Sequence, residues 1–209
     1  MKTKVFGSLI LILILIVTNA RAEVRATSSV QVSNVDISDR TLNMLDALAK
    51  QYKVVIGVYG VLIGSDHQTV HITFNRATLK EVLDAIVRQD TRFEWTENRD
   101  GSVHFSLRTA PMSLLNERVH SFDTVNPQRA EIVGLLTHIP EVDTWLGNHG
   151  CSMGEMIAGP LSKNWGKFSV HVKDQSLLSV LDTIAAKSHT YYWSAIQYST
   201  APCDINVVP

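Results

Sequence analysis

The sequence predicts an α+β protein of two small tandem domains, each with two helices packed between small β-sheets. Three observations carry this. Alternating or β-branched runs flank segments of helical period along the whole chain. The segment "TLKEVLDAIVRQDTRFEW" (78–95) returns 98 positions later as "SLLSVLDTIAAKSHTYYW" (176–193). A stretch without clear period, "RTAPMSLLNE", lies between them. When 71–95 is set against 169–193, Leu79, Val82, Leu83, Asp84, Ile86 and Trp95 recur as Leu177, Val180, Leu181, Asp182, Ile184 and Trp193. These six identities in 25 ungapped positions exceed what a shared helical period explains. A duplicated module follows, arranged as two tandem domains or as one pseudo-symmetric pair.

The first 22 residues read as a secretory signal peptide. Lys2 and Lys4 make a positive start, Val5 to Val17 is apolar apart from Gly7 and Ser8, and Ala20-Arg21-Ala22 offers small residues for cleavage. The apolar run falls short of the roughly 20 residues that a spanning helix needs. No later segment is apolar enough to span, so no integral span is expected after cleavage. Removing Lys2, Lys4 and Arg21 leaves 16 basic and 20 acidic side chains, which gives no footprint for nucleic acid. In an oxidising compartment the two cysteines, Cys151 and Cys203, are expected to pair. Closing a loop of that length stabilises by roughly 3–4 kcal/mol on the chain-entropy account.

The first domain (28–108) reads as follows. "SVQVSNVDI" alternates as a strand, and "SDRT" offers N-cap residues for the helix "LNMLDALAKQYK", whose Leu42, Leu45, Leu48, Ala49 and Tyr52 share a face. "VVIGVYGVLIG" reads as a buried strand loosened by Gly57 and Gly60, and "TVHITF" as another strand. Thr78 and Glu81 form a capping box for a helix with Leu79, Val82, Leu83, Ile86 and Val87 on one stripe. "RFEWTENRDGSVHFSL" closes as a hairpin turned at Asp100-Gly101.

Residues 109–117 read as a linker. The second domain (118–209) repeats the plan more loosely. "RVHSF" is a strand, and "PQRAEIVGLLTHI" is a helix with Pro127 in its first turn and Pro140 at its end. "KFSVHV" is the strand before a helix capped by Ser176, and "TYYWSAIQY" with "CDINVV" forms the closing hairpin. Residues 141–166 read as an irregular insertion carrying Trp145, Cys151 and Trp165.

The order "VDIS…TLNMLDALAKQYKVVIGVYGVLIG…VHITFNRATLKEVLDAIVRQDTRFEWTENRDGSVHF" resembles the short N-terminal (STN, or secretin N0-like) domain shared by secretins and TonB-dependent signal-transducing receptors. The likeness covers Val30 to Leu107, and in the second half only Phe168 to Val208. Its features are hydrophobic: "L-x-x-L-A" in the first helix and "T-L-x-E-V-L-D-A-I" in the second. The resemblance implies two helices sandwiched by small sheets, a periplasmic location in a Gram-negative bacterium, and a docking role. In such receptors the domain contacts a regulator, and in secretins it meets inner-membrane components. No barrel or secretin segment follows it in this chain. The expected function is therefore that of an adaptor, chaperone-like partner or subunit of an envelope secretion, transport or signalling assembly, associated with the outer membrane through its protein partners.

Catalytic and metal signatures were sought. The sequence has eight histidines but no HExxH, and His67, His71 and His104 read as strand histidines facing solvent. There is no GxSxG elbow and no phosphate loop. Asp84 and Asp182 recur but read as solvated helix-face charges, and Trp95 and Trp193 as core. The reading is a non-enzyme without cofactor or metal. Its interface candidates are the strand residues His71, Phe74, Phe168 and Val170, available for strand addition, and the tryptophans Trp145 and Trp165. A periplasmic ligand- or metal-binding protein on the same scaffold, using the histidines, His67 and His71 among them, or the glycine-rich insertion, is the alternative. The oligomeric state is left open.

Overall fold

A computed structural model of the chain describes residues 26–63, 68–109, 112–155, 165–198 and 203–208. The segment read as a signal peptide and His67 lie outside the described residues. Each half opens with a 3-10 turn, Thr27–Ser29 and Ser113–Asn116. The first half continues as β1 (Gln31–Arg40), α1 (Thr41–Tyr52), β2 (Ile56–Leu62), β3 (Thr69–Thr78), α2 (Leu79–Gln89), β4 (Phe93–Glu97) and β5 (Val103–Leu107). The second continues as β6 (Arg118–Val125), α3 (Arg129–Thr137), α4 (Pro140–His149), β7 (Cys151–Glu155), β8 (Ser169–Ser176), α5 (Leu177–Ser188), β9 (Tyr192–Tyr198) and β10 (Cys203–Val208). The class is α+β, as the patterning predicts.

The likeness between the halves extends to the turns. The carbonyl of Val30 accepts the N–H of Leu79 at 2.8 Å, and that of Glu117 accepts the N–H of Leu177 at 2.9 Å. Each opening turn thus closes onto the start of the last helix of its own half. The expectation of a linker at 109–117 is corrected here, because Met112, Leu114 and Leu115 are buried in the second core. Lack of a helical period in that stretch reflects a single 3-10 turn rather than freedom from packing.

Each half keeps a two-stranded antiparallel ribbon, β1–β3 and β6–β8, and its own hydrophobic cluster. The halves are joined by one six-stranded sheet in the order β4-β5-β2-β9-β10-β7. Within it β4–β5 and β9–β10 are antiparallel, while β5–β2 and β10–β7 are parallel. Three strands thus repeat in one order and sense, and the two sets meet where β2 pairs in parallel with β9, from Ile56 opposite Tyr192 to Leu62 opposite Tyr198. Small sheets of its own were expected for each domain. Instead, one of the two layers over the helices is common to both halves. Tyr192 and Ile196 complete the first core, and Val55 and Tyr59 pack on the second.

Local chemistry explains most element ends. Thr78 and Glu81 form the capping box on α2, and Ser176 Oγ accepts the Ser179 N–H on α5. The N-cap expected within "SDRT" is corrected, since β1 runs to Arg40 and no side chain caps α1. Thr41 instead donates to Asp90 Oδ2 at 2.6 Å, and Asp90 is fully buried against Arg92. Burial alone would raise the Asp90 pKa, but hydrogen bonds from Arg92 and Thr41 outweigh it and hold the carboxyl below the ordinary range. The stretch expected to be irregular contains α4 and β7. Pro140 both ends α3 and starts α4 as its first residue, and Gly150 closes α4 in the left-handed region at φ 60°.

The two expected cysteines do form a disulfide, Cys151–Cys203. They are direct partners in the parallel β7–β10 ladder, so the bond ties the end strand of the sheet to its neighbour. Among the described residues no helix is long and apolar enough to cross a membrane.

Gly57, expected to loosen β2, tightens the join instead. A Cβ there would lie 2.2 Å from Cζ2 of Trp193, so only glycine lets the indole rest against the strand. We expect Gly57→Ala to lower stability by about 1–3 kcal/mol through overpacking, read as a shifted midpoint in urea. Replacing Cys151 and Cys203 together by alanine should cost about 2–4 kcal/mol in the same measurement.

Candidate docking surfaces and the seam between the halves

The recurring aspartates and tryptophans are partners of each other. Trp95 Nε1 donates to Asp84 Oδ1 at 3.0 Å, and Trp193 Nε1 donates to Asp182 Oδ1 at 2.7 Å. In each half the aspartate sits on the last helix and the tryptophan on the next strand. In the first half the pair is half-exposed, and Lys80 binds the same carboxylate at 2.7 Å. Burial alone would raise the Asp84 pKa, but Lys80 and then Trp95 hold it below the ordinary carboxylate range.

In the second half the pair is enclosed, which corrects the reading of Asp182 as a solvated charge. Asp182 is 6% exposed and Trp193 fully buried, because β2 and the β4–β5 hairpin of the first half close over them. His104 Nε2 lies 3.1 and 3.0 Å from the two Asp182 oxygens, and Ser102 Oγ lies 3.2 Å from Oδ2. His104 was expected to face solvent but is 3% exposed, with Asn98 Nδ2 at 3.1 Å from its other nitrogen. Tyr59 stacks on Trp193 with centroids 6.1 Å apart, and His104 meets both rings edge-on. Serine, histidine and aspartate thus converge, but Ser102 bonds the aspartates 100 and 182 rather than the imidazole. A nucleophile relay needs the serine on the histidine. The cluster is a polar joint, beside an open cleft of about 910 Å³ between the halves.

The strand residues expected to bind partners are placed unevenly. Val170 is fully buried and Phe168 is 8% exposed, so both belong to the second core and are corrected as interface residues. Strand alternation puts Ser169, His171 and Lys173 on the outer face instead. Phe74 is half-buried against the first core. His71 is exposed, but Gln89 takes up its backbone: Gln89 Oε1 accepts the His71 N–H at 3.1 Å, and Gln89 Nε2 donates to the His71 carbonyl at 2.6 Å. The matching residue of the second half, Lys187, donates to the Ser169 carbonyl at 2.8 Å. A side chain from the last helix of each half thus occupies the peptide edge where strand addition was expected, a common way of blunting an edge.

Trp145 and Trp165, expected in one insertion, lie apart. Trp165 donates from Nε1 to the Pro127 carbonyl at 2.8 Å and meets Phe168 edge-on at 5.2 Å. Trp145 stands on α4. Its indole stacks on His149, one helical turn on, with centroids 3.9 Å apart and planes 13° apart. Its Nε1 lies 3.2 Å from Ser113 Oγ. It borders an open surface cavity of about 540 Å³ with Glu117, Glu141, Thr144 and Asn148. His120 Nδ1 contacts Glu141. The Glu141 backbone N–H, and next the His120 side chain, hold the Glu141 carboxyl below the ordinary carboxylate range. Among the described residues no three potential ligands converge as a metal site would need.

Asp182→Ala should leave the indole of Trp193 and the side chains of Ser102 and His104 without their shared acceptor, costing about 3 kcal/mol or more. Asp84→Ala should cost about 1 kcal/mol or less, because its surroundings are wet. Chemical denaturation of the two variants side by side tests the contrast, and equal losses would refute it. No protein-family model matches the chain, and no curated protein matches it.

Proposed function

We propose that this protein is an exported, non-enzymatic interaction module of the periplasm, acting as an adaptor or subunit of an envelope secretion, transport or signalling assembly. The likeness of Val30–Leu107 to the short N-terminal domain of secretins and TonB-dependent receptors supports the reading. So does the disulfide, which suits an oxidising compartment.

The observation that carries it is the setting of Trp145. A half-buried indole pinned by His149 and Ser113 at the rim of a cavity is a rigid aromatic anchor. Such anchors carry a large share of binding energy at protein interfaces. The β3 and β8 edges are weaker surfaces, because Gln89 and Lys187 already engage them. Docking is therefore assigned to the α4 face of the second half.

A photo-crosslinking amino acid placed at Thr144 or Asn148 in the native envelope should capture a defined protein, and the same probe at His71 should not. Trp145→Ala should abolish the capture while moving the unfolding midpoint little. Capture from His71 alone, or none from α4, would remove this assignment. N-terminal sequencing of the exported chain should begin at Glu23.

A further inference from the structure

The cavity beside Trp145 also has a charge character. Two of its lining side chains are carboxylates, Glu117 and Glu141, and among the described residues that line it there is no lysine or arginine. Glu141, with a side chain 22% exposed, has His120 beside it. Glu117 is half-buried at the end of the opening turn of the second half. Its backbone carbonyl is used by Leu177, while its carboxylate has no hydrogen bond or ion pair among the described residues. The nearest arginine in sequence, Arg118, is turned to Asp174 at 3.8 Å. A carboxylate held near a cavity wall without a partner favours a cation brought from outside. The indole of Trp145 adds a face suited to the same charge. Its edge is fixed by Ser113 and its stacking by His149, so the ring costs little to order.

We infer that the occupant of this cavity is a lysine or arginine side chain on a segment of the partner protein, held between Glu117 and Glu141 and laid against Trp145. This rests on the docking reading above and names the partner's chemistry. A divalent cation is the less favoured occupant, because His149 Nδ1 is committed to the Trp145 carbonyl at 2.8 Å and no three ligands converge. Thr144 and Asn148 also line it, and the Thr144 hydroxyl donates to the Pro140 carbonyl at 2.7 Å.

The test is a titration of the full exported chain with a short acetylated and amidated peptide containing lysine and arginine. It is followed by the indole N–H resonance of Trp145, identified by its loss in Trp145→Phe. A glutamate-containing peptide, a neutral oligosaccharide and zinc serve as parallel probes. The basic peptide should shift that resonance saturably, and binding should weaken at high salt. Glu117→Gln, which touches no bond of the fold, should weaken binding about tenfold, as expected for loss of one charge-assisted contact. Absence of a shift with the basic peptide would overturn the inference, as would unchanged affinity in Glu117→Gln. A saturable response to the oligosaccharide or zinc alone would do the same. If crosslinking from Thr144 or Asn148 captures a protein while the basic peptide fails, the cationic occupant falls and the docking reading stands.

Discussion

The hydrogen bond from the Trp193 indole to the buried Asp182 carboxylate is the constraint around which the two halves are arranged. A carboxylate that is 6% exposed needs all its donors present, and two of them, Ser102 and His104, come from the other half of the chain. The indole lies against Gly57 and stacks with Tyr59, both on β2, so the β2–β9 ladder brings the halves together at this spot. Backbone pairing, aromatic packing and polar satisfaction all depend on one register. A shift of one residue would turn the β9 side chains to the wrong face and strand the carboxylate.

The way the repeats meet differs from a two-fold. The strand order of one half is continued by the same order in the other, so the β2 side of the first unit meets the β9 side of the second. Such a head-to-tail joint leaves unlike edges at the two ends and needs something to stop it propagating. At one end stands β4, the counterpart of β9. Where β9 carries Tyr192 and Ala195, β4 carries Glu94 and Glu97. Glu97 accepts from the N–H and hydroxyl of Thr27, and Glu94 lies 3.4 Å from Arg108. At the other end stands β7, tied to β10 by the disulfide. Charged side chains on an edge strand are a common defence against unwanted pairing.

Duplication also frees one copy to diverge. The first half keeps a compact plan with a single helix between β1 and β2. The second puts two helices, α3 and α4, in the corresponding place, and the groove at Trp145 lies on α4. The proposed docking face thus belongs to the place where the two halves differ.

Much of this was legible in the sequence, because it depends on neighbours along the chain. The capping box at Thr78, the apolar stripes of α2 and α5, the hairpin at Gly101, the cysteine pair and the 98-residue echo can all be read along the chain. What local pattern could not determine was which identical residues would meet water. Asp84 and Asp182 have the same sequence context, yet one stays half-exposed beside Lys80 and the other is enclosed by Ser102 and His104, some 80 residues away along the chain. Gly57 likewise reads as a weak point in a strand until an indole is found against it. For the strand residues, alternation alone could have assigned Val170 inward, but the capture of His71 by Gln89 needed the helix in place. The sequence by itself determined the α+β class, most of the elements, the recurring helix and strand pattern, and the cysteine pairing. The tertiary structure decided the seam, the blunted edges and the isolated Trp145 cavity, because burial and hydrogen-bond satisfaction depend on what packs across from a residue rather than on what precedes it.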